Sequence, residues 1–160
     1  MKRITVLLAN DSQYVRKEFR KILELEDDLE VVGEAKDGLE AVAMAKKLRP
    51  ALVLIDVTMP LLNGLQATRQ ILEIVPLLRT QSRRSVIKVL MLSAHCEEVY
   101  IAEATNSGAM GYLIKQTSAD IVCTAIREVH KGNTFFSQSI PKRLHKPLNL
   151  SPSERIDEGV

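Results

Sequence analysis

Cysteine is scarce in this 160-residue chain: only Cys96 and Cys123 occur, without the close spacing of a metal site. Two reduced thiols of a cytoplasmic protein are the plain reading. No apolar run is long enough to cross a bilayer. The N-terminal "MKRITVLLAND" is basic and then apolar, but it meets Asp11 too soon for a secretory signal. Charge of neither sign dominates. The 22 Lys and Arg against 20 Asp and Glu leave a formal +2, short of the concentrated positive charge of a nucleic-acid-binding domain. There is no internal repeat and no low-complexity tract. What is present is apolar: 46% of residues are of the AVILMFWYC set, enough for an ordinary core, in a length that suits one domain with a tail.

Four apolar runs read as buried strands, at Ile4–Ala9 and at residues 51–55, 86–92 and 110–114; a weaker one covers 30–35. They are mostly unbroken rather than alternating, as in strands covered on both faces of a parallel sheet. Between them lie helical patterns. Val15, Phe19, Ile22 and Leu23 follow the first strand, and residues 37–48, 63–75, 97–106 and 117–131 supply four more, with Pro50, Pro76 and Gly132 as stops. Strand and helix therefore alternate five times, which predicts an open parallel sheet with helices on both faces. Residues 76–85, "PLLRTQSRRS", form a long polar connection, and residues 133–160 show no clear core pattern.

Open α/β sheets bind ligands at the carboxyl ends of their strands. Those ends carry Asn10 and Asp11, Asp56, Ser93 and Lys115. Asp56 closes a buried apolar strand, where a carboxylate is costly unless paired or metal-bound. A structural pairing with Lys115 is the bland account. The convergence of polar groups from four strands favours chemistry instead, with Asp56 as a nucleophile toward a phosphoryl group. Asp11 and Asp56 would then be anionic ligands of Mg²⁺. Lys115 would supply a point charge to the phosphoryl oxygens, and Ser93 a hydrogen bond.

The pieces "LLAND", "LVLIDVTMPLLNG", "VLMLSAH" and "GAMGYLIK" stand in order on these elements, and over residues 3–131 the chain resembles the receiver domain of bacterial two-component response regulators. "SQYVRKEFRKILE" and "EVVGEAKDGLEAVAMAKKLRPALVLID" look most like the NarL/FixJ (LuxR-type) subgroup. The resemblance implies a doubly wound, flavodoxin-like (βα)5 fold with a five-stranded sheet in the order 2-1-3-4-5. It implies Asp56 as phosphoacceptor for a sensor histidine kinase, and Mg²⁺ held by Asp11, Asp56 and the backbone carbonyl of Thr58. Ser93 and Lys115 would contact the phosphoryl group. Tyr112 would be the aromatic switch that turns inward with Ser93, changing a surface on helix 4, strand 5 and helix 5. That surface would serve dimerisation or a DNA-binding output domain. Catalysis would be limited to the chain's own phosphorylation and dephosphorylation, in the cytoplasm.

Asn10 departs from the family pattern, which places an acidic residue there. One net negative charge remains in the site instead of two, so weaker Mg²⁺ binding is expected, with the amide oxygen accepting from metal-bound water. Thr58 and His95 stand where residues of this family tune hydrolysis. Residues 1–132 are expected to form the receiver and 133–160 a linker or tail. Within the tail, "LNLSPSERIDEGV" resembles the opening of a LuxR-type helix-turn-helix. The few residues that follow cannot complete such a domain, so either a longer regulator is cut short or a receiver keeps a residual tail. No specific DNA binding by these residues alone and no membrane contact are expected. Two other readings remain: a pseudo-receiver that binds protein partners without phosphorylation, suggested by Asn10, and an unrelated flavodoxin-like enzyme. The second lacks a glycine-rich phosphate loop, since "LLANDSQ" has no glycine.

Overall fold

The computed structural model describes residues 2–74, 86–115 and 117–147. β1 (Ile4–Ala9), β2 (Leu29–Ala35), β3 (Leu52–Ile55), β4 (Lys88–Ser93) and β5 (Gly111–Ile114) alternate with α1 (Gln13–Glu24), α2 (Gly38–Leu48), α3 (Gly64–Leu72), α4 (Glu98–Asn106) and α5 (Ala119–His130). The order β2-β1-β3-β4-β5 is the one expected, and a sixth strand, β6 (Phe135–Phe136), extends it beside β5. All the pairings are parallel. The connection at 76–85, the expected helix end at Val75 and the motif at 148–160 lie outside the described residues.

The unbroken apolar runs are explained by burial on both faces. Leu52, Val53, Leu54 and Ile55 of β3 are each at most 3% exposed, and fully burying such a side chain is worth about 1.5–3 kcal/mol. On one face α2, α3 and α4 pack through Ala41, Val42, Ala45, Leu65, Ile71 and Ile101. On the other, α1 and α5 pack through Leu23, Val122, Ile126 and Val129.

Local chemistry sets where the helices begin. Ser12 caps α1, its hydroxyl accepting from Val15 N at 3.3 Å. Asp11 is therefore not the cap, and its carboxylate stays free for the strand edge. Asp37 caps α2 through Glu40 N. Asn63 and Gln66 form a reciprocal capping box at α3. Gly64 follows at once, and a Cβ there would stand 1.9 Å from Asp56 O. The close approach of α3 to the end of β3, which shapes the loop beyond Asp56, thus requires glycine.

Residues 133–147, in a segment with no clear core pattern in the sequence, bury two side chains. Phe135 and Phe136 pair with Gly111 and Tyr112, and Ile140 and Leu144 join the core beside α4. A two-residue strand has no alternation to detect, and Pro141 interrupts any helical pattern between Ile140 and Leu144.

Candidate functional site

Parallel strands deliver their carboxyl ends to one edge, and the polar groups there meet. Asp56, just past β3, is 5% exposed. Its Oδ2 accepts from Lys115 Nζ at 2.9 Å, just past β5, and from Asn10 Nδ2 at 3.3 Å, just past β1. Its Oδ1 receives only a long 3.4 Å contact from Thr58 N. One carboxylate oxygen is thus held by a cation and an amide, while the other keeps its lone pairs nearly free.

Asn10 presents its amide nitrogen to Asp56. Its Oδ1 accepts from Ser12 N at 2.9 Å. A backbone N–H can only donate, so the oxygen must face it, and the amide nitrogen faces the carboxylate of Asp56. In this orientation the oxygen spends one lone pair on the Ser12 amide and keeps a second acceptor position. Toward Asp56, Asn10 is an uncharged hydrogen-bond donor. Its carbonyl is bound by Arg16 Nη1 at 2.5 Å, and Arg16 is held in turn by Glu34. Arg16 is invisible as a site residue in the sequence, where it reads as one more charge on the solvent side of α1.

Asp11 is exposed, and among the described residues its carboxylate has no hydrogen-bond or ion-pair partner. Two carboxylates, one unpartnered and one with an almost free oxygen, make an all-oxygen donor set that fits a hard cation keeping several waters.

Ser93 ends β4 and is fully buried; its Oγ accepts from His95 N at 3.1 Å, which leaves the hydroxyl proton to donate. His95 is a junction. Its Nε2 lies 2.7 Å from Thr58 Oγ1, its Nδ1 lies 3.6 Å from Glu97 Oε2, and its ring stacks on Tyr100 with centroids 4.3 Å apart. Its carbonyl accepts from Tyr112 OH at 2.7 Å. Tyr112 is inward and fully buried. Burial pushes its phenol up to about 12, a hydrogen bond with Ser93 opposing that shift and the charges of Asp56 and Glu97 adding to it. A continuous set of contacts therefore runs from Asp56 through Thr58 and His95 to Ser93 and Tyr112.

Comparison with known proteins gives the family to which this sheet and its edge belong. The response regulator receiver domain matches residues 6–127, and the chain belongs to that family. It is 33% identical to the transcriptional regulatory protein DegU of Brevibacillus brevis, over 98% of this chain and 63% of that protein. It is 37% identical to the transcriptional regulatory protein LnrK of Bacillus subtilis, over 98% of this chain and 66% of that protein. The chain thus spans just under two-thirds of these relatives. Among solved structures, the receiver domain of the response regulator NarL from Mycobacterium tuberculosis matches with TM-score 0.72 and 27% identity, covering 83% of this chain and all of that one. The response regulator domain of Thermotoga maritima CheB matches with TM-score 0.71 and 32% identity, covering 81% and 98%. The protein is a two-component receiver related to transcriptional regulators, a signalling protein rather than a classical enzyme. No helix among its described residues is long and apolar enough to cross a membrane.

Proposed function

We propose that the chain is a phosphorylation switch, charged on Asp56 by the phosphohistidine of a sensor histidine kinase. A carboxylate oxygen of Asp56 bonds to phosphorus as the P–N bond breaks, the imidazole leaves, and an acyl phosphate remains. Hydrolysis later returns the carboxylate and inorganic phosphate, and this self-directed chemistry is the whole of its catalysis. The observation that supports the reading best is the buried Asp56 held by Lys115 at 2.9 Å, on the edge where Asp11 stands without a partner among the described residues.

Lys115 releases Asp56 to bind a phosphoryl oxygen, and the Ser93 hydroxyl donates to another. Asp11, Asp56 and the Thr58 carbonyl would hold Mg²⁺, which would offset the negative charge where phosphate meets carboxylate. Thr58 and His95, joined at 2.7 Å across the mouth, control access of water and so tune hydrolysis. Ser93 and Tyr112 carry the change to the surface of α4, β5 and α5. In a longer regulator that surface governs dimerisation or a DNA-binding domain. The receiver and its tail do not bind DNA specifically by themselves, contact no membrane, and work in the cytoplasm.

A second reading has one observation in its favour. Asn10 turns its nitrogen to Asp56, which suits a receiver that binds partners without being phosphorylated. Intact mass after incubation with acetyl phosphate, with and without Mg²⁺ and beside Asp56→Asn, separates the two. A Mg²⁺-dependent single-phosphate adduct absent from the variant is the expected result. A folded protein that takes no adduct at any Mg²⁺ concentration is the pseudo-receiver.

A further inference from the structure

The segment after α5 and the switch tyrosine are built into each other. We propose that residues 133–147 form a strap whose docking is coupled to the position of Tyr112, so that the chain leaving the receiver is gripped or loosened according to the state of Asp56. The dependence on Asp56 rests on the phosphorylation reading above; the coupling of strap to tyrosine does not.

The strap grips two elements. On β5, Phe135 and Phe136 pair with Gly111 and Tyr112. A Cβ at Gly111 would stand 2.1 Å from Phe135 O, so the residue type at Gly111 is what lets the strap come in. Ser137 N donates to Tyr112 O at 3.0 Å, and its hydroxyl accepts from Ile114 N at 2.9 Å. On α4, Thr105 Oγ1 lies 2.9 Å from Ile101 O and 3.1 Å from Leu144 O, so one hydroxyl serves helix and strap together. Arg143 pairs with Glu98. The strap also closes on itself: the His145 ring stacks on Phe136 with centroids 4.1 Å apart, and its Nε2 lies 3.1 Å from Ile140 O.

Tyr112 sits inside this arrangement. Its backbone carbonyl is bound by the strap, and its ring belongs to the same buried cluster as Ile140, Leu144, Ile101 and Ala104. Its hydroxyl is fixed on His95, which touches Thr58 beside Asp56. A ring so enclosed cannot turn outward without parting the cluster that seats the strap, because close-packed interiors do not deform continuously. Coupling of this kind is reciprocal: what holds the tyrosine in holds the strap down, and a seated strap favours the inward tyrosine.

Amide hydrogen exchange of the full 160-residue chain, with and without acetyl phosphate and Mg²⁺, tests it. When intact mass shows the adduct, exchange at Ser137 and Ile140 should slow by at least about fivefold, the low end of ordinary coupling between sites. Val6 in β1 should be unaffected, and Asp56→Asn should show no slowing. An adduct with unchanged Ser137 exchange overturns the coupling and leaves the phosphoacceptor reading standing. If no adduct forms, that reading falls alone, and the coupling is decided on unphosphorylated Tyr112→Ala and Tyr112→Phe. Loss of the ring should speed Ser137 exchange by about fivefold or more with Val6 unchanged, and the Phe variant should restore most of the protection. Equal Ser137 rates in all three proteins overturn the proposal.

Discussion

At opposite ends of the sheet, two of the ion pairings differ in how fully the carboxylate is bonded. Beyond the carboxyl ends of the strands, Lys115 binds Asp56. Beside the loop that precedes β2, Arg127 of α5 binds Asp28 through two nitrogens at 2.8 and 2.9 Å and Glu26 at 2.7 Å. The second cluster is complete: both Asp28 oxygens are bonded, its carboxyl is pulled below the ordinary value by the Arg127 hydrogen bonds, and the guanidinium is pushed up in return. The first is unfinished. Asp56 Oδ1 has only a 3.4 Å contact, and Asp11, which follows the carboxyl end of β1, is unpartnered among the described residues. Residue types alone do not separate a clamp from a reactive site. Spare acceptor capacity on a buried carboxylate is what sets Asp56 apart from Asp28.

The sharpest way to test that difference is to neutralise each cation. Lys115→Met removes the charge that the phosphoryl oxygens would meet, and the rate of labelling by acetyl phosphate should fall by about 10²–10³, the usual effect of losing one preorganised charge-stabilising donor. Arg127→Met should leave the labelling rate unchanged. Equal effects in the two variants would dissolve the distinction between the clusters.

Asn10 allows a finer cut. Asn10→Asp places a further carboxylate beside Asp56 and deletes the amide donor, so without Mg²⁺ the folded state should lose about 1–3 kcal/mol. The added charge should raise Mg²⁺ affinity by about tenfold. Thermal unfolding with and without Mg²⁺ reads both at once, since a bound ion stabilises in proportion to its affinity. The variant should melt lower without the ion and gain more from it. A wild type that already binds Mg²⁺ tightly, with no change on substitution, contradicts the role given to Asn10.

These tests follow the line between what the sequence makes legible and what it does not. Unbroken apolar runs such as "LVLI" declare a parallel sheet, because only strands buried on both faces can be apolar throughout. Asn10, Asp56, Ser93 and Lys115 are readable as a site because parallel strands must bring their carboxyl ends to one edge. The orientation of Asn10 is not readable: it hinges on whether its oxygen finds the Ser12 amide, a matter of side-chain torsion rather than residue type. Arg16 and the strap escape for a related reason. Arg16 looks solvent-facing until its bonds to Asn10 O and Glu34 are known; Ile140 lies in no strand or helix, and Leu144 ends a three-residue 3-10 turn (Lys142–Leu144) too short to show a period.

The smallest effect belongs to the completed clamp. Asp28 and Arg127 are partly exposed, with each side chain about a third accessible, so screening limits their pair to about 1 kcal/mol at neutral pH. The pH dependence has a definite sign. Asp28 titrates below its ordinary 3.8 in the folded protein, so its stabilising contribution is fully present above that value and disappears as pH falls through the lower folded value. Wild type and Arg127→Met should therefore differ by about 1 kcal/mol in urea unfolding near pH 6 and converge as the pH falls through the lowered folded value of Asp28. Glu34, held low by Arg20 and Arg16 against the opposing cost of burial, remains in both proteins and contributes the same acid dependence to each. It cancels from the difference, so a gap that stays constant through acid titration of the carboxylates would mean that Arg127 acts through packing of its stem rather than through its charge.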